Sequence, residues 1–185
     1  MPDREPAALV ETPRLLMREF SEDDWPAFRA VSLDPEAERV WGEPVNEAFL
    51  RAAFQDALNA QRAADRHIYA LALVLKGTDE MAGYVDFSFA PGASEAEYSI
   101  MLGGRHRGQG LGPEACRAMI GFGFGSLGMR RVFSSVDAAN TASRRMLEKA
   151  GMKLEREWHR PPDAPPDSSW AVGCVYVVRR EDWSG

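Results

Sequence analysis

A basic, glycine-rich segment in the middle of the chain carries the residue types of an anion-binding site. The apolar stretch that ends at Leu102 is followed by the letters GGRHRGQGLG and then by a helix-forming sequence. Glycines let a bulky ligand approach the backbone, and the free N–H groups of a loop and of a first helical turn attract negative charge. The amides of residues 105–112 are therefore predicted to hold a diphosphate, and Arg105 and Arg107 to add positive charge.

The spacing of these glycines argues against two common nucleotide motifs. The pattern Gly108-x-Gly110-x-Gly112 lacks the G-x-G-x-x-G spacing of dinucleotide-binding folds. No glycine is followed by Lys and then Ser or Thr, which excludes a Walker loop. A glycine-rich turn before a helix is also ordinary turn chemistry. Taken alone, the segment thus leaves a plain turn open beside the anion site.

Hydrophobic periodicity predicts the elements that would position this segment. Apolar runs predict seven strands, at residues 14–20, 68–75, 82–90, 96–102, 131–136, 153–158 and 172–179. Helical spacing and capping residues predict helices from Ser21 to before Pro35 and at residues 47–64, 110–126 and 142–150. This order predicts an α/β (α+β) fold, with one mixed sheet of seven strands flanked by about four helices.

The composition is that of an ordinary globular protein. The chain has 185 residues, of which 45% are hydrophobic and 27% charged, and a formal net charge of −6. This length predicts one domain over residues 1–185, with a flexible stretch at 1–8. An acidic balance argues against binding nucleic acid, because neutralising phosphates requires clustered Lys and Arg.

Other classes are excluded by what the sequence lacks. The longest apolar run, residues 68–75, is too short to cross a bilayer, and the opening MPDREPAA has no apolar core of a signal peptide. Two distant cysteines provide neither a zinc site nor a disulfide framework. We therefore expect no metal, no membrane partner and a cytoplasmic location.

A second constellation identifies a family. Arg105-x-x-Gly108-x-Gly110 is followed about thirty residues later by Asn140-x-x-Ser143 and then by the letters KAGM. Together these patterns resemble the GNAT superfamily of N-acetyltransferases. The opening letters ETPRLLMR and the closing letters YVVRREDW resemble the first and last strands of its RimJ/RimL-like branch. The resemblance covers residues 9–183 and implies a mixed, mostly antiparallel GNAT-type sheet.

The resemblance implies direct transfer of an acetyl group from acetyl-CoA to a primary amine, either a protein N-terminus or a small molecule. The pantetheine arm would pair with the backbone of residues 100–102, where an N–H of Met101 or Leu102 would stabilise the oxyanion. Asn140 would hold the pantetheine, and Arg144, Arg145 or Lys149 would reach the 3′-phosphate. The implied coenzyme-binding residues are Ile100, Met101, Leu102, Arg105, Arg107, Gly108, Gln109, Gly110, Leu111, Gly112, Asn140, Ser143 and Arg144.

Candidate proton-transfer groups follow from the same resemblance. Transfer needs a neutral amine, and a carboxylate in the cleft can accept its proton directly or through water. Glu97 matches a glutamate that the family often carries, and Asp86 on the neighbouring predicted strand is the second candidate base. Many members use a tyrosine as the acid where this chain has Leu147, so Ser143 is the candidate acid. The alternatives are a surface carboxylate for Glu97 and a helix-capping or coenzyme-binding hydroxyl for Ser143.

The acceptor side is less defined by the sequence. Trp41, Trp158 and Trp170 fall in regions that line the acceptor cleft in the family, although core packing is the usual role of a tryptophan. Val172 replaces the aspartate typical of the branch, and the loop at 160–169 is long and rich in proline. The acceptor and a homodimer therefore stay open. The alternative function is an acyl-CoA-binding sensor without transfer, which the missing tyrosine favours.

Overall fold

The computed structural model describes residues 7–34, 46–160 and 170–185, which form one mixed sheet and four α-helices. The strands are β1 Ala8–Glu11, β2 Leu15–Arg18, β3 Ile68–Leu75, β4 Met81–Ser88, β5 Glu95–Leu102, β6 Arg131–Asp137, β7 Lys153–His159 and β8 Val172–Arg179. The helices are α1 Trp25–Ser32, α2 Glu47–Ala60, α3 Leu111–Gly125 and α4 Thr141–Lys149.

The predicted fold class is confirmed, but the predicted number of seven strands is wrong. The sheet has eight strands, because β1 pairs with β2 through Ala8, Val10 and Glu11. This strand has only four residues and is separated from β2 by Thr12, Pro13 and Arg14, and such a short apolar run near a proline gives almost no periodic signal.

The sheet separates at its middle, and this separation is the feature that matters for function. The strand order is β1-β2-β3-β4-β5-β6-β8-β7, and every pair is antiparallel except β5 with β6. The parallel ladder joins residues 95–97 to residues 131–133 and extends no further. Beyond it β5 continues to Leu102, bonded to β4 on one side only. Among the described residues, the backbone of residues 98–102 therefore has no strand partner on this side, inside an otherwise continuous sheet.

Helices cover the two faces of the sheet at different places. The strand residues Phe87, Tyr98 and Val132 pack with α3 and α4 in one core. On the other face, α1 and α2 cover a smaller core that includes Tyr84 and Met101. Because side chains alternate along a strand, consecutive residues of β5 contribute to opposite cores.

Local sequence signals set the helix ends. The side chain of Asn46 accepts a hydrogen bond from the N–H of Phe49 at 2.8 Å and so caps α2. Asn140 caps α4 in the same way through the N–H of Ser143, at 3.0 Å. After α4, Gly151 adopts a φ of 96°, a left-handed conformation that ends helices.

Candidate active site

A cavity of about 480 Å³ opens where β5 leaves β6. Its walls are the end of β5, the glycine-rich loop, the first turn of α3 and one face of α4. The lining residues are Ile100, Met101, Leu102, His106, Arg107, Gly108, Gly110, Leu111, Gly112, Pro113, Asn140, Ala142, Ser143, Arg145, Met146 and Lys149. The structure thus brings together most of the residues that the sequence predicted to bind the coenzyme.

The structure explains why glycine is needed at positions 108, 110 and 112. Gly108 and Gly110 have φ values of 73° and 80°, in the left-handed region that other residues rarely adopt. Gly110 is also the N-cap of α3. At Gly112 an added Cβ would lie 3.0 Å from Cγ of Met146, so a side chain there would push α3 away from α4. The loop therefore needs glycine twice for its path and once for close helix packing.

The arginines of the loop are neutralised by carboxylates from distant parts of the chain. Glu80 pairs with Arg105 and lies 3.0 Å from Nε2 of the buried His106. Asp34, just after α1, pairs with Nη1 of Arg107 at 2.9 Å and accepts the N–H of Gly104 at 3.1 Å. Nε of Arg107 also donates to the carbonyl oxygen of Leu102 at 2.9 Å. Both arginines therefore brace the loop, and of the two only Arg107 lines the cavity.

Three residues predicted to bind coenzyme do not line the cavity. Arg105 is largely exposed and faces Glu80. The side chain of Gln109 turns back to the carbonyl oxygen of Arg105, at 2.6 Å. Arg144 lies on the far side of α4, where Nε donates to the hydroxyl of Tyr176 at 3.1 Å and Nη1 to the carbonyl oxygen of Ala138 at 3.2 Å.

The face of α4 that borders the cavity carries other groups. Arg145 and Lys149, one helical turn apart, both line it. Ser143 lines it as well, while the carbonyl oxygen of the Asn140 side chain is engaged in capping the helix. Leu147, at the position where the family often has tyrosine, is buried in the core. The chain accordingly presents a hydroxyl from Ser143 and two cations to the cavity.

The candidate bases lie on the other face of the sheet. Register pairs Asp86 with Ser99 and Ser88 with Glu97, so these four side chains share the face that α1 and α2 partly cover. Burial raises the pKa of Asp86, the negative charge of Glu97 adds to this effect, and a hydrogen bond with Ser88 opposes it. Neither carboxylate lines the cavity, which lies next to the later residues of the same strand.

Two of the three predicted cleft tryptophans form a pair. The rings of Trp158 and Trp170 are 6.4 Å apart between centroids and inclined at 34°. An added Cβ at Gly173 would lie 2.3 Å from the indole of Trp158, so that ring lies directly on β8. Nε1 of Trp170 is buried and has no hydrogen-bond partner in the described part of the chain. Trp41 lies outside the described residues.

One set of contacts beside the loop, made by Glu114, was not predicted from the sequence. Glu114, in the first turn of α3, binds Thr12 and Arg14, which connect β1 to β2. Burial opposes the shift, but the hydrogen bonds from Thr12 and Arg14 hold the pKa of Glu114 below its ordinary value. The letters ETPR before β2 were the available signal, since a threonine and an arginine flank a proline at a strand start.

The described part of the chain lacks two other kinds of feature, a metal-binding cluster and a membrane-spanning helix. Within residues 7–34, 46–160 and 170–185, no three His, Cys, Asp or Glu side chains are placed to hold a metal ion. In the same ranges no helix combines the length and the apolar character needed to span a membrane.

Comparisons with known proteins agree with this geometry. The family model described as an acetyltransferase (GNAT) domain matches residues 14–153. The chain is 25% identical over 180 residues to the uncharacterised N-acetyltransferase YnaD of Bacillus subtilis, covering 95% of this chain and 99% of that protein. A GNAT-family acetyltransferase structure from Bacillus anthracis superposes with a TM-score of 0.79 at 22% identity, covering 93% and 98% of the two chains. Mycobacterium smegmatis RimJ in complex with CoA-disulfide gives 0.74 at 16% identity, covering 92% and 84%.

Proposed function

The chain belongs to the GNAT family of acetyltransferases, which take their acetyl group from acetyl-CoA, and we propose that its acceptor is a primary amine. We also propose that it belongs to the RimJ/RimL-like branch. The letters ETPRLLMR and the likeness of the fold to M. smegmatis RimJ support that placement. One observation carries the proposal. The free edge of β5 and a loop whose glycines adopt positive φ line the same cavity.

The residues around the cavity fit the parts of the coenzyme. Amides of residues 108–112, at the positive end of α3, suit the diphosphate. Arg145 and Lys149, at the other wall, suit the 3′-phosphate. The free edge of residues 100–102 suits the two amide groups of pantetheine, which would pair with it as a short added strand.

Strand geometry decides between the N–H groups of Met101 and Leu102, the two that were expected at the thioester carbonyl. The N–H of Gly103 donates to the carbonyl oxygen of Ala82 at 3.0 Å and so points toward β4. Because backbone groups alternate in direction along a strand, the N–H of Met101 also points toward β4 and that of Leu102 points into the gap. We therefore assign to Leu102 the donor that holds the carbonyl oxygen as negative charge develops on it.

A carboxylate on the opposite face accepts the proton of the amine. Glu97 is half-exposed and lies three residues before the edge that binds pantetheine, so we assign it the role of base. Asp86 lies diagonally across from it, and burial raises the pKa of Asp86, which strengthens this carboxylate as a base if the amine reaches it. Both side chains lie close to the point where β5 and β6 separate, which is the passage between the two faces.

Protonation of the leaving sulfur contributes less to the rate than deprotonation of the amine. A thiolate leaves readily near neutral pH, so an acid speeds the reaction only moderately. The hydroxyl of Ser143 lines the cavity and is the candidate donor, because Leu147 is buried in the core.

The acceptor enters from the face that carries Glu97. The paired rings of Trp158 and Trp170 lie at the level of β6 and β8 where the gap is open, and they offer an apolar wall. A wall of this kind suits a protein N-terminus, whose first side chain needs a surface, as well as a small amine with an apolar body.

Release of free thiol from acetyl-CoA, measured with a panel of peptide and small-molecule amines, tests this function. At least one primary amine should raise thiol release well above the rate in its absence. Tight binding of CoA without release against every amine would instead favour the sensor function that the sequence left open.

The base is tested with the active amine and the isosteric variants Glu97→Gln and Asp86→Asn. Loss of a general base costs roughly 10²- to 10⁴-fold at neutral pH. The defect of Glu97→Gln should shrink as pH rises, because the amine loses its proton without help. A defect that stays constant with pH in Glu97→Gln but shrinks in Asp86→Asn would transfer the role to Asp86.

A further inference from the structure

Residues between β1 and β2 bind the start of α3 through the carboxylate of Glu114. Oε1 of Glu114 accepts hydrogen bonds from Oγ1 of Thr12 at 2.5 Å and from the N–H of Arg14 at 3.1 Å. Oε2 of Glu114 accepts from Nε and Nη2 of Arg14, each at 2.6 Å. Two guanidinium N–H groups that converge on one carboxylate oxygen hold the guanidinium group in a defined orientation.

The guanidinium makes one more contact, and it reaches the loop itself. Nη1 of Arg14 donates to the carbonyl oxygen of Gln109 at 2.8 Å. In a trans peptide the C=O and the following N–H point in opposite directions. Holding the carbonyl of Gln109 toward Arg14 therefore turns the N–H of Gly110 away from Arg14. Gly110 lines the cavity, whereas Arg14 does not.

We infer that Arg14 is a positioning residue for coenzyme binding, because it fixes the Gln109–Gly110 peptide with its N–H toward the cavity. This inference rests on the proposed function, since it needs a diphosphate in the cavity. Glu114 and Thr12 act through Arg14 by holding its guanidinium in place.

The local sequence explains why this peptide needs an external contact. Glycine adopts positive and negative φ with similar ease, so Gly110 places little restraint on rotation of the peptide before it. A rotated peptide would present the carbonyl oxygen of Gln109 to the cavity, where it would repel a phosphate. The contact from Arg14 selects one of these two arrangements before the ligand arrives, and pre-organisation of that kind strengthens binding.

The charges add a second effect, which must be separated from the first. Without Arg14, the carboxylate of Glu114 would remain unneutralised in the first turn of the helix that receives the diphosphate. The variant Arg14→Gln therefore loses both the peptide contact and the neutralising charge. The double variant Arg14→Gln/Glu114→Gln removes the charge problem and leaves only the loss of peptide orientation.

The matched control is Lys76→Gln. Lys76 adjoins Arg14, because its N–H donates to the carbonyl oxygen of Arg14 at 3.0 Å, and its side chain pairs with Glu11. The control therefore removes one positive charge at the same corner of the sheet without touching the loop.

Calorimetry with CoA is the first measurement. Loss of a charged hydrogen bond corresponds to roughly a tenfold weaker affinity or more. We expect Kd for CoA to rise about tenfold in Arg14→Gln and to stay several-fold raised in the double variant, with Arg14→Lys intermediate and Lys76→Gln unchanged. Full recovery of affinity in the double variant would overturn the orientation effect, and unchanged affinity in Arg14→Gln would overturn the whole inference. A wild-type protein that does not bind CoA would instead refute the proposed function.

An NMR spectrum of protein labelled at its glycine amides reports the orientation of this peptide separately from any loss of stability. In the folded wild type the amide resonance of Gly110 should be sharp without ligand and should shift on adding CoA. In folded Arg14→Gln it should broaden or divide while the resonance of Gly151, at the far end of α4, stays unchanged. Identical Gly110 resonances in the two proteins would contradict the inference.

Discussion

The variants Gly108→Asp and Gly108→Asn form an isosteric pair that isolates the charge at the predicted diphosphate site. Gly108 has a φ of 73°, and an added Cβ there would meet no atom within 4 Å. Asn and Asp both tolerate the left-handed conformation, at a cost of about 1 kcal/mol in stability. Both variants should therefore fold, and they differ from each other only by one carboxylate charge.

The size of the effect follows from Coulomb's law. A carboxylate at residue 108 would stand at about 6 Å from a diphosphate that carries about two negative charges. The repulsion is then roughly 1.4 kcal/mol in bulk water and about four times larger at an effective dielectric constant of 20. We expect an intermediate value, which makes CoA binding to Gly108→Asp about a hundredfold weaker than binding to Gly108→Asn.

Calorimetric titration of CoA into both variants at low and high salt measures this difference. The gap between the two affinities should narrow as added salt screens the repulsion. Equal affinities for Asp and Asn, in two folded proteins, would refute the placement of the diphosphate on this loop. A large loss in both variants would show instead that the space over Gly108 matters more than its charge.

The remaining predictions concern stability. In α3, an added Cβ at Gly123 would lie 2.4 Å from Cζ of the buried Phe87, whereas one at Gly121 would meet nothing within 4 Å. Gly123→Ala should thus lower the free energy of unfolding by about 1–3 kcal/mol and Gly121→Ala should raise it by up to about 1 kcal/mol, as denaturant titration would show. Because the pKa of Asp86 is raised by burial, its charged form destabilises the fold at neutral pH but not below pH of about 4. Asp86→Asn should raise Tm at pH 7, and a gain that persists at pH 3.5 would contradict this cause.

Much of the fold could be predicted because its signals are local. In the described part of the chain, seven of the eight strands and the four helices follow from periodicity and from caps such as Asn46 and Asn140. The short β1 could not be predicted, because its four residues acquire a strand conformation only by pairing with β2. The early end of the β5–β6 ladder could not be predicted from periodicity, since the length of a parallel pairing depends on tertiary packing, and only the family resemblance implied that the sheet separates beside residues 100–102.

The candidate site shows the same division between local and distant information. The letters RGQGLG located the cavity wall, but the partners that orient the loop come from elsewhere in the chain. Arg14 and Glu114 are a hundred residues apart in sequence. The choice between Arg144 and Arg145 was also open, because neighbouring residues on a helix point about 100° apart and only the docking of α4 decides which one borders the cavity.

The carboxylates around the loop determine which of its groups can bind an anion. Each arginine that borders the loop is paired with an acidic side chain, so the loop offers little net charge of its own. Its affinity for a diphosphate must then come mainly from backbone N–H groups. A charge attracts from any direction, but an N–H donor attracts only along its bond. Contacts that orient single peptides, such as the one from Arg14 to Gln109, therefore control binding more strongly here than they would in a loop of unpaired arginines.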